Sequence, residues 1–156
     1  MKVEGPAVCL GADIDTDLVI AGRYLRTKDR SVWATHVFED LDPALAPRLS
    51  GAIVIAGKNF GCGSSREQAA IALREAGVRC VIAPSFARIF FRNAINTGLP
   101  VMECACPCTE GERVAADPAS GTIEVGGRVY LARPLSPRML EILSAGGLVE
   151  YWRRKQ

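Results

Sequence analysis

The chain has 156 residues, 49% of them hydrophobic and 23% charged, with 15 Gly and 9 Pro. That make-up suits one compact globular domain over residues 1–156 and excludes collagen, long coiled coil and a disordered chain. Lys plus Arg number 19 and Asp plus Glu 17, a net charge of +2, too small an excess to indicate a binder of nucleic-acid phosphates.

A single histidine, His36, argues against a His-rich metal centre, so acid-base chemistry must lean on other side chains. The six cysteines read as reduced thiols of a cytoplasmic protein. A disulfide framework is not expected, because Met1 to Gly11 carries Lys2 and Glu4 and lacks the apolar centre of a secretory signal. Ala52 to Ala56 and Val78 to Pro84 are the longest apolar stretches. They fall far short of the roughly 20 residues that cross a bilayer, so no membrane association is expected.

Val3 to Leu10 reads as a first strand ending at Gly11. The acidic turn Asp13-Ile14-Asp15-Thr16-Asp17 follows. Leu18 to Thr27, apolar but interrupted by Gly22, reads as a loop with one helical turn. Asp29 to Ala34 and Pro43 to Leu49 read as short helices, the second with Asp42 as N-cap and Pro43 at its first position.

Ala52 to Ala56 is a continuous apolar run of strand length, as expected for a strand buried on both faces. Gly57 to Gly63 is a glycine-rich loop. A helix follows over Ser64 to Ala76, with Ala69, Ala70, Ile71, Leu73 and Ala76 at helical spacing and Gly77 as the stop. Arg79 to Ala83 is a second buried strand, Ser85 to Asn96 a second helix, and Leu99 to Glu103 a third strand. This βαβαβ order predicts a parallel sheet within an α/β fold.

Beyond Cys104 the chain reads as short strands at Glu112 to Ala115, Thr122 to Val125 and Arg128 to Leu131, with Gly126-Gly127 as a hairpin turn. Ser136 to Ala145 is a closing helix with Ser136 as N-cap and Pro137 first. The basic tail Arg153-Arg154-Lys155 reads as a frayed end.

The segment Gly57-Lys58-Asn59-Phe60-Gly61-Cys62-Gly63-Ser64-Ser65-Arg66-Glu67 carries most of the chemical information. Its glycines let backbone approach a ligand, the following helix start favours an anion, and Arg66 adds a planar fork suited to a carboxylate. Ser64 with Glu67 also spells a capping box, which needs no chemistry, and both readings stand. The P-loop pattern is absent, and a dinucleotide fingerprint from Gly61 would need Gly or Ala where Arg66 stands. Asp13, Asp15 and Asp17 fail the calcium-loop pattern, having Leu18 and Tyr24 where Gly and Glu belong. Cys104, Cys106 and Cys108 lack zinc-ribbon spacing and read as incidental or buried thiols. His36 reads as a packed or surface histidine.

Several blocks together carry a resemblance. Asp13-Ile-Asp-Thr-Asp17, Tyr24-Leu25-Arg26-Thr27, His36-Val-Phe-Glu-Asp40, the glycine loop through Glu67, and Ser85-Phe-Ala-Arg-Ile-Phe-Phe-Arg-Asn-Ala-Ile-Asn96 occur in order. The chain thereby resembles the small subunits of 3-isopropylmalate dehydratase and homoaconitase, the counterparts of the aconitase swivelling domain. The resemblance implies a three-layer β/β/α domain and a hydro-lyase reaction. It also implies a hetero-oligomer with a large subunit, whose own cysteines hold a [4Fe-4S] cluster, so that this chain binds no cofactor or metal itself. The implied substrate is a small hydroxy-di- or tricarboxylate, and self-association of the isolated chain is left open.

By position, the resemblance makes Ser64 the base and Arg66 a carboxylate-binding residue, with Ser65 beside them. It assigns Leu25, Arg26 and Thr27 to substrate selection, and Asp15, Thr16, Asp17, Gly61 and Gly63 to support. Cys62 is implied to be a neighbour of the loop and no iron ligand. Arg26 would suit the distal carboxylate of a homoaconitate-type substrate, although Tyr-Leu-Arg-Thr loops also resemble those of isopropylmalate enzymes, so both substrates stay open. A non-catalytic anion-binding module is the reading from another class.

Overall fold

The computed structural model describes residues 1–156. Its first strand, β1 (Val3–Cys9), leads into a helical turn, α1 (Thr16–Val19), a 3-10 turn at Gly22–Tyr24, and α2 (Arg30–Thr35). A second 3-10 turn at Ala46–Arg48 precedes β2 (Ile53–Ile55) and α3 (Glu67–Glu75). Next come β3 (Cys80–Ala83), α4 (Arg88–Thr97), β4 (Val101–Glu103), β5 (Arg113–Asp117), β6 (Thr122–Val125) and β7 (Arg128–Leu131). Helices α5 (Pro137–Ala145) and α6 (Leu148–Lys155) close the chain.

The seven strands form one sheet in the order β4-β3-β2-β1-β5-β6-β7. Strands β1 to β4 pair in parallel and β5 to β7 antiparallel, with β1 joining the two halves. Strand alternation accounts for the layering. Val8, Val54, Val81 and Val101 face a core shared with the helices, where Ala69, Leu73, Phe90 and Ala94 are buried. Ala7, Ile53, Ile55, Ile82 and Met102 face the other way and pack with Val114, Ala116, Ile123 and Val125 of β5 and β6. The antiparallel half therefore curls across the back of the parallel half, giving the β/β/α layering that the resemblance implies. The three-residue β2 is buried at every position, which is why its sequence reads as an unbroken apolar run.

Several elements differ from the sequence reading. The helix expected from Ser64 starts at Glu67, with Arg66 at the N-cap position and no side-chain cap, so the Ser64–Glu67 capping box does not form. The expected Pro43–Leu49 helix shrinks to its 3-10 turn: the Asp42 carboxylate accepts from the Ala44 N–H as the expected cap, but Pro47 has no N–H to donate to the Pro43 carbonyl one turn back. The tail is helical rather than frayed, α6 running to Lys155, although Arg153, Arg154 and Lys155 are exposed as expected of a solvated end. Tyr151 is buried and its hydroxyl bonds Glu141, docking α6 on α5.

The expectation of six reduced thiols is also corrected. Cys9 at the end of β1 and Cys108 in the β4–β5 connection form a disulfide, with Cα atoms 5.9 Å apart. Cys62, Cys80, Cys104 and Cys106 are free. No helix is long and apolar enough to cross a membrane.

Candidate active site

Three separated segments are stitched together at the ends of the parallel strands. The Gly61 N–H donates to the Ile14 carbonyl, and the Thr16 N–H to the Cys62 carbonyl, each at 2.8 Å, so the acidic turn and the glycine loop run as a short parallel bridge. On the other side Phe60 pairs with Phe86, and the Asn59 N–H donates to Ser85 Oγ at 2.9 Å. The rings of Phe60, Phe86 and Phe90 then pack together, with Phe60 and Phe90 centroids 5.2 Å apart.

Two glycines make this closeness possible. Gly61 adopts φ +83°, and a methyl there would overlap the Phe90 ring. Gly63 adopts φ +90°, and a methyl there would overlap the Asp15 carboxylate. Asp15 is fixed in turn, its Oδ1 accepting from the Asp17 N–H at 2.8 Å as the N-cap of α1. Thr16, buried, donates from Oγ1 to the Ser64 carbonyl at 2.8 Å.

The result is a cleft of about 220 Å³. Thr16, Gly61, Gly63, Ser64, Ser65 and Arg66 form one wall; the first residues of α4, with Asn93 one turn on, form the other. Ser64 and Ser65 are exposed. With the capping box unformed, the Ser64 hydroxyl is held by no local backbone group. Arg66 is mostly covered, and its Nη1 lies 3.0 Å from Asp17 Oδ1. That nitrogen is not aligned to donate to any acceptor, so Coulomb attraction links the pair. The same guanidinium packs over Gly22, bringing the start of the next loop against the site.

Leu25, Arg26 and Thr27 do not line this cleft. Thr27 Oγ1 accepts from the Asp29 N–H, Leu25 packs on the core, and Arg26 is exposed with no ion-pair partner. Their loop is anchored from behind. Trp33 Nε1 donates to the Tyr24 carbonyl, Tyr24 stacks on His36 with centroids 4.0 Å apart, and Arg23 pairs with Glu39 and Asp40. His36 Nδ1 sits 2.7 Å from the Val32 carbonyl, so it serves as a packed histidine. Burial, then Asp15 and Asp13, push the Cys62 thiol up from its ordinary value, which keeps it protonated.

Arg88 and Asn93 reach the cleft without having been given a site role from the sequence. The signal was present, since both fall in the Ser85–Asn96 block, but helical spacing alone does not tell which end of a helix meets a distant loop. A larger cavity of about 550 Å³ lies between α3, α4 and α6. Its charges largely satisfy each other, Arg30 with Glu75 and Arg153 with Glu150.

A family model of the aconitase C-terminal domain matches residues 12–105. The chain is 49% identical over 160 residues to the 3-isopropylmalate dehydratase small subunit of Saccharolobus islandicus, covering 100% of this chain and 97% of that one. It is 48% identical to the protein of the same name from Moorella thermoacetica, over 99% of this chain and 97% of that one. The solved structure of 3-isopropylmalate dehydratase from Methanocaldococcus jannaschii superposes with a TM-score of 0.94 at 40% identity, covering 99% and 95% of the two chains. The chain belongs to the aconitase C-terminal domain family, among the 3-isopropylmalate dehydratase small subunits.

Proposed function

We propose that this chain is the small subunit of a 3-isopropylmalate dehydratase, a hydro-lyase that interconverts 2-isopropylmalate and 3-isopropylmalate through the dehydrated alkene in leucine biosynthesis. The observation that carries the reading is the full-length likeness to dehydratase small subunits, 49% identical over 100% of this chain. On this reading the whole chain is one swivelling domain of a cytoplasmic enzyme, and a large subunit closes over the Ser64 cleft. The family's [4Fe-4S] cluster is assigned to that large subunit. In this chain no group of three or more His, Cys, Asp or Glu is arranged to hold a metal ion. The residues here do not fit a cluster, and their work is to bind carboxylate and move a proton.

Ser64 is the proposed base, its oxygen taking the proton from the carbon next to the one that loses hydroxide. A serine hydroxyl is far too weak an acid to be ionised unaided at neutral pH. Arg66, desolvated on closure, supplies positive potential for the alkoxide and a fork for a substrate carboxylate. Asp15, Thr16, Asp17, Gly61 and Gly63 hold the serine loop in place, and Arg26 and its neighbours select the distal substituent. Arg26, exposed and unpaired, is what sustains homoaconitase as a second reading. The test is to reconstitute the chain with a dehydratase large subunit and assay isopropylmalate and homocitrate separately, following alkene absorbance. Isopropylmalate turnover that requires both chains is expected. Turnover confined to homocitrate selects the second reading, and inertness on both leaves a non-catalytic anion-binding module.

A further inference from the structure

We propose that Arg88 is a second carboxylate-binding residue of this site, acting from α4 across the cleft from Arg66; the proposal rests on the function proposed above. The wall built from the acidic turn and the glycine loop brings Asp15 and Asp17 beside a single guanidinium, Arg66, already paired with Asp17 at 3.0 Å. A substrate with two carboxylates approaching that wall meets more negative than free positive charge. Arg88 is the only other basic side chain lining the cleft. It is exposed and forms no ion pair, so its charge is uncommitted. Its backbone position is fixed, because Phe90 packs in the Phe60 cluster and under Gly61. A guanidinium that needs no structural partner, on a rigid helix start facing the serine loop, is placed to take a planar carboxylate by two parallel hydrogen bonds.

Arg92, exposed on the same helix and absent from the cleft lining, is the natural control for net charge. Exposed Ile89, the apolar neighbour of Arg88 on the same wall, is the control for lost contact without lost charge. Arg88→Met, Arg88→Lys, Arg92→Met and Ile89→Ala chains are each reconstituted with the large subunit, measuring subunit affinity by titration and then kcat and KM for isopropylmalate at saturating large subunit. Arg88→Met is expected to raise KM about thirtyfold with a smaller fall in kcat, Arg88→Lys to recover part of that loss, and Arg92→Met to match the wild type. Unchanged KM in Arg88→Met overturns the proposal. So does a defect that Arg88→Met shares with Ile89→Ala and that vanishes once the large subunit saturates, since Arg88 would then serve the subunit interface. A wild-type assembly inert on isopropylmalate would instead remove the proposed function, and Arg88's role with it.

Discussion

The buried hydroxyl of Thr16 donates a 2.8 Å hydrogen bond to the backbone carbonyl of Ser64, 48 positions further along the chain. Through it the acidic turn fixes the height of the serine loop above the sheet. Thr16→Val keeps the side-chain shape and removes the donor. We expect a loss of about 1 kcal/mol in stability, read by urea unfolding, and a fall in turnover of about tenfold from the misplaced loop. Full turnover in a chain destabilised by that amount would mean that the bond supports the fold without positioning Ser64.

Ser64→Ala separates chemistry from structure cleanly, because the Ser64 side chain caps no helix here and α3 begins only at Glu67. Thermal unfolding should stay within about 0.5 kcal/mol of the wild type, as for an exposed substitution without a cap. Turnover of the reconstituted enzyme should fall by several powers of ten. A stable variant with near-normal turnover would take Ser64 out of the reaction. A destabilised one would show that the hydroxyl has a structural partner after all.

Arg26 has no acidic partner and lies outside the cleft lined by Ser64, on a loop whose start packs against Arg66 through Gly22. If it reads the distal substituent, Arg26→Val should cost homocitrate more than isopropylmalate in kcat/KM. A difference of about tenfold or more is expected, because a lost carboxylate partner matters only to the substrate that carries the extra carboxylate. Equal losses on both would reassign Arg26 to general electrostatics.

What the sequence made legible follows from which forces act locally. Ser136 and Pro137 announce α5, and the structure has Ser136 Oγ accepting from the Met139 N–H, since a cap depends on residues within one turn. Ser64 and Glu67 spell a cap just as clearly, yet the chain there is claimed by Thr16 and, through Phe60, by Phe86, partners that no local rule reveals. The parallel core could be read because Ile53–Ile55 and Cys80–Ala83 are buried on both faces. The curl of β5 to β7 over its back could not, because it depends on which face of each short strand turns inward. Arg88 stood in view within its motif, but only tertiary packing aims it at the serine loop.

The anchor behind the Tyr24–Thr27 loop is acid-sensitive. Arg23 holds the Asp40 carboxyl below its ordinary value, and Tyr24 first, then Arg23, do the same for Glu39. Depressed carboxylates stabilise the fold above their unfolded pKa values, and that contribution is lost as pH falls through the folded ones. Arg23→Gln should therefore lower the melting temperature above the ordinary carboxylate range, with the gap to wild type closing as pH falls through the depressed folded values. A gap that persists unchanged into strong acid would mean that Arg23 stabilises by packing on Tyr24, over whose ring its guanidinium lies, 4.8 Å from the centroid.

The Cys9–Cys108 bridge closes a loop of 99 positions, tying the first strand to the connection that carries the chain into its antiparallel half. By the chain-entropy account, a link of that span is worth about 4 kcal/mol, through restriction of the unfolded chain. Burial pushes the neighbouring Cys80 thiol up to about 12, and burial with the Cys104 contact does the same for Cys106. Both stay protonated at neutral pH and exchange slowly with the bridge. Dithiol reductant should lower urea stability by about 4 kcal/mol, and Cys9→Ser with Cys108→Ser should reproduce that loss and abolish any further effect of reductant. A double variant still sensitive to reductant would move the cross-link to Cys104 and Cys106, whose sulfurs stand 3.5 Å apart. A wild-type chain indifferent to reductant would restore the reading of six free thiols.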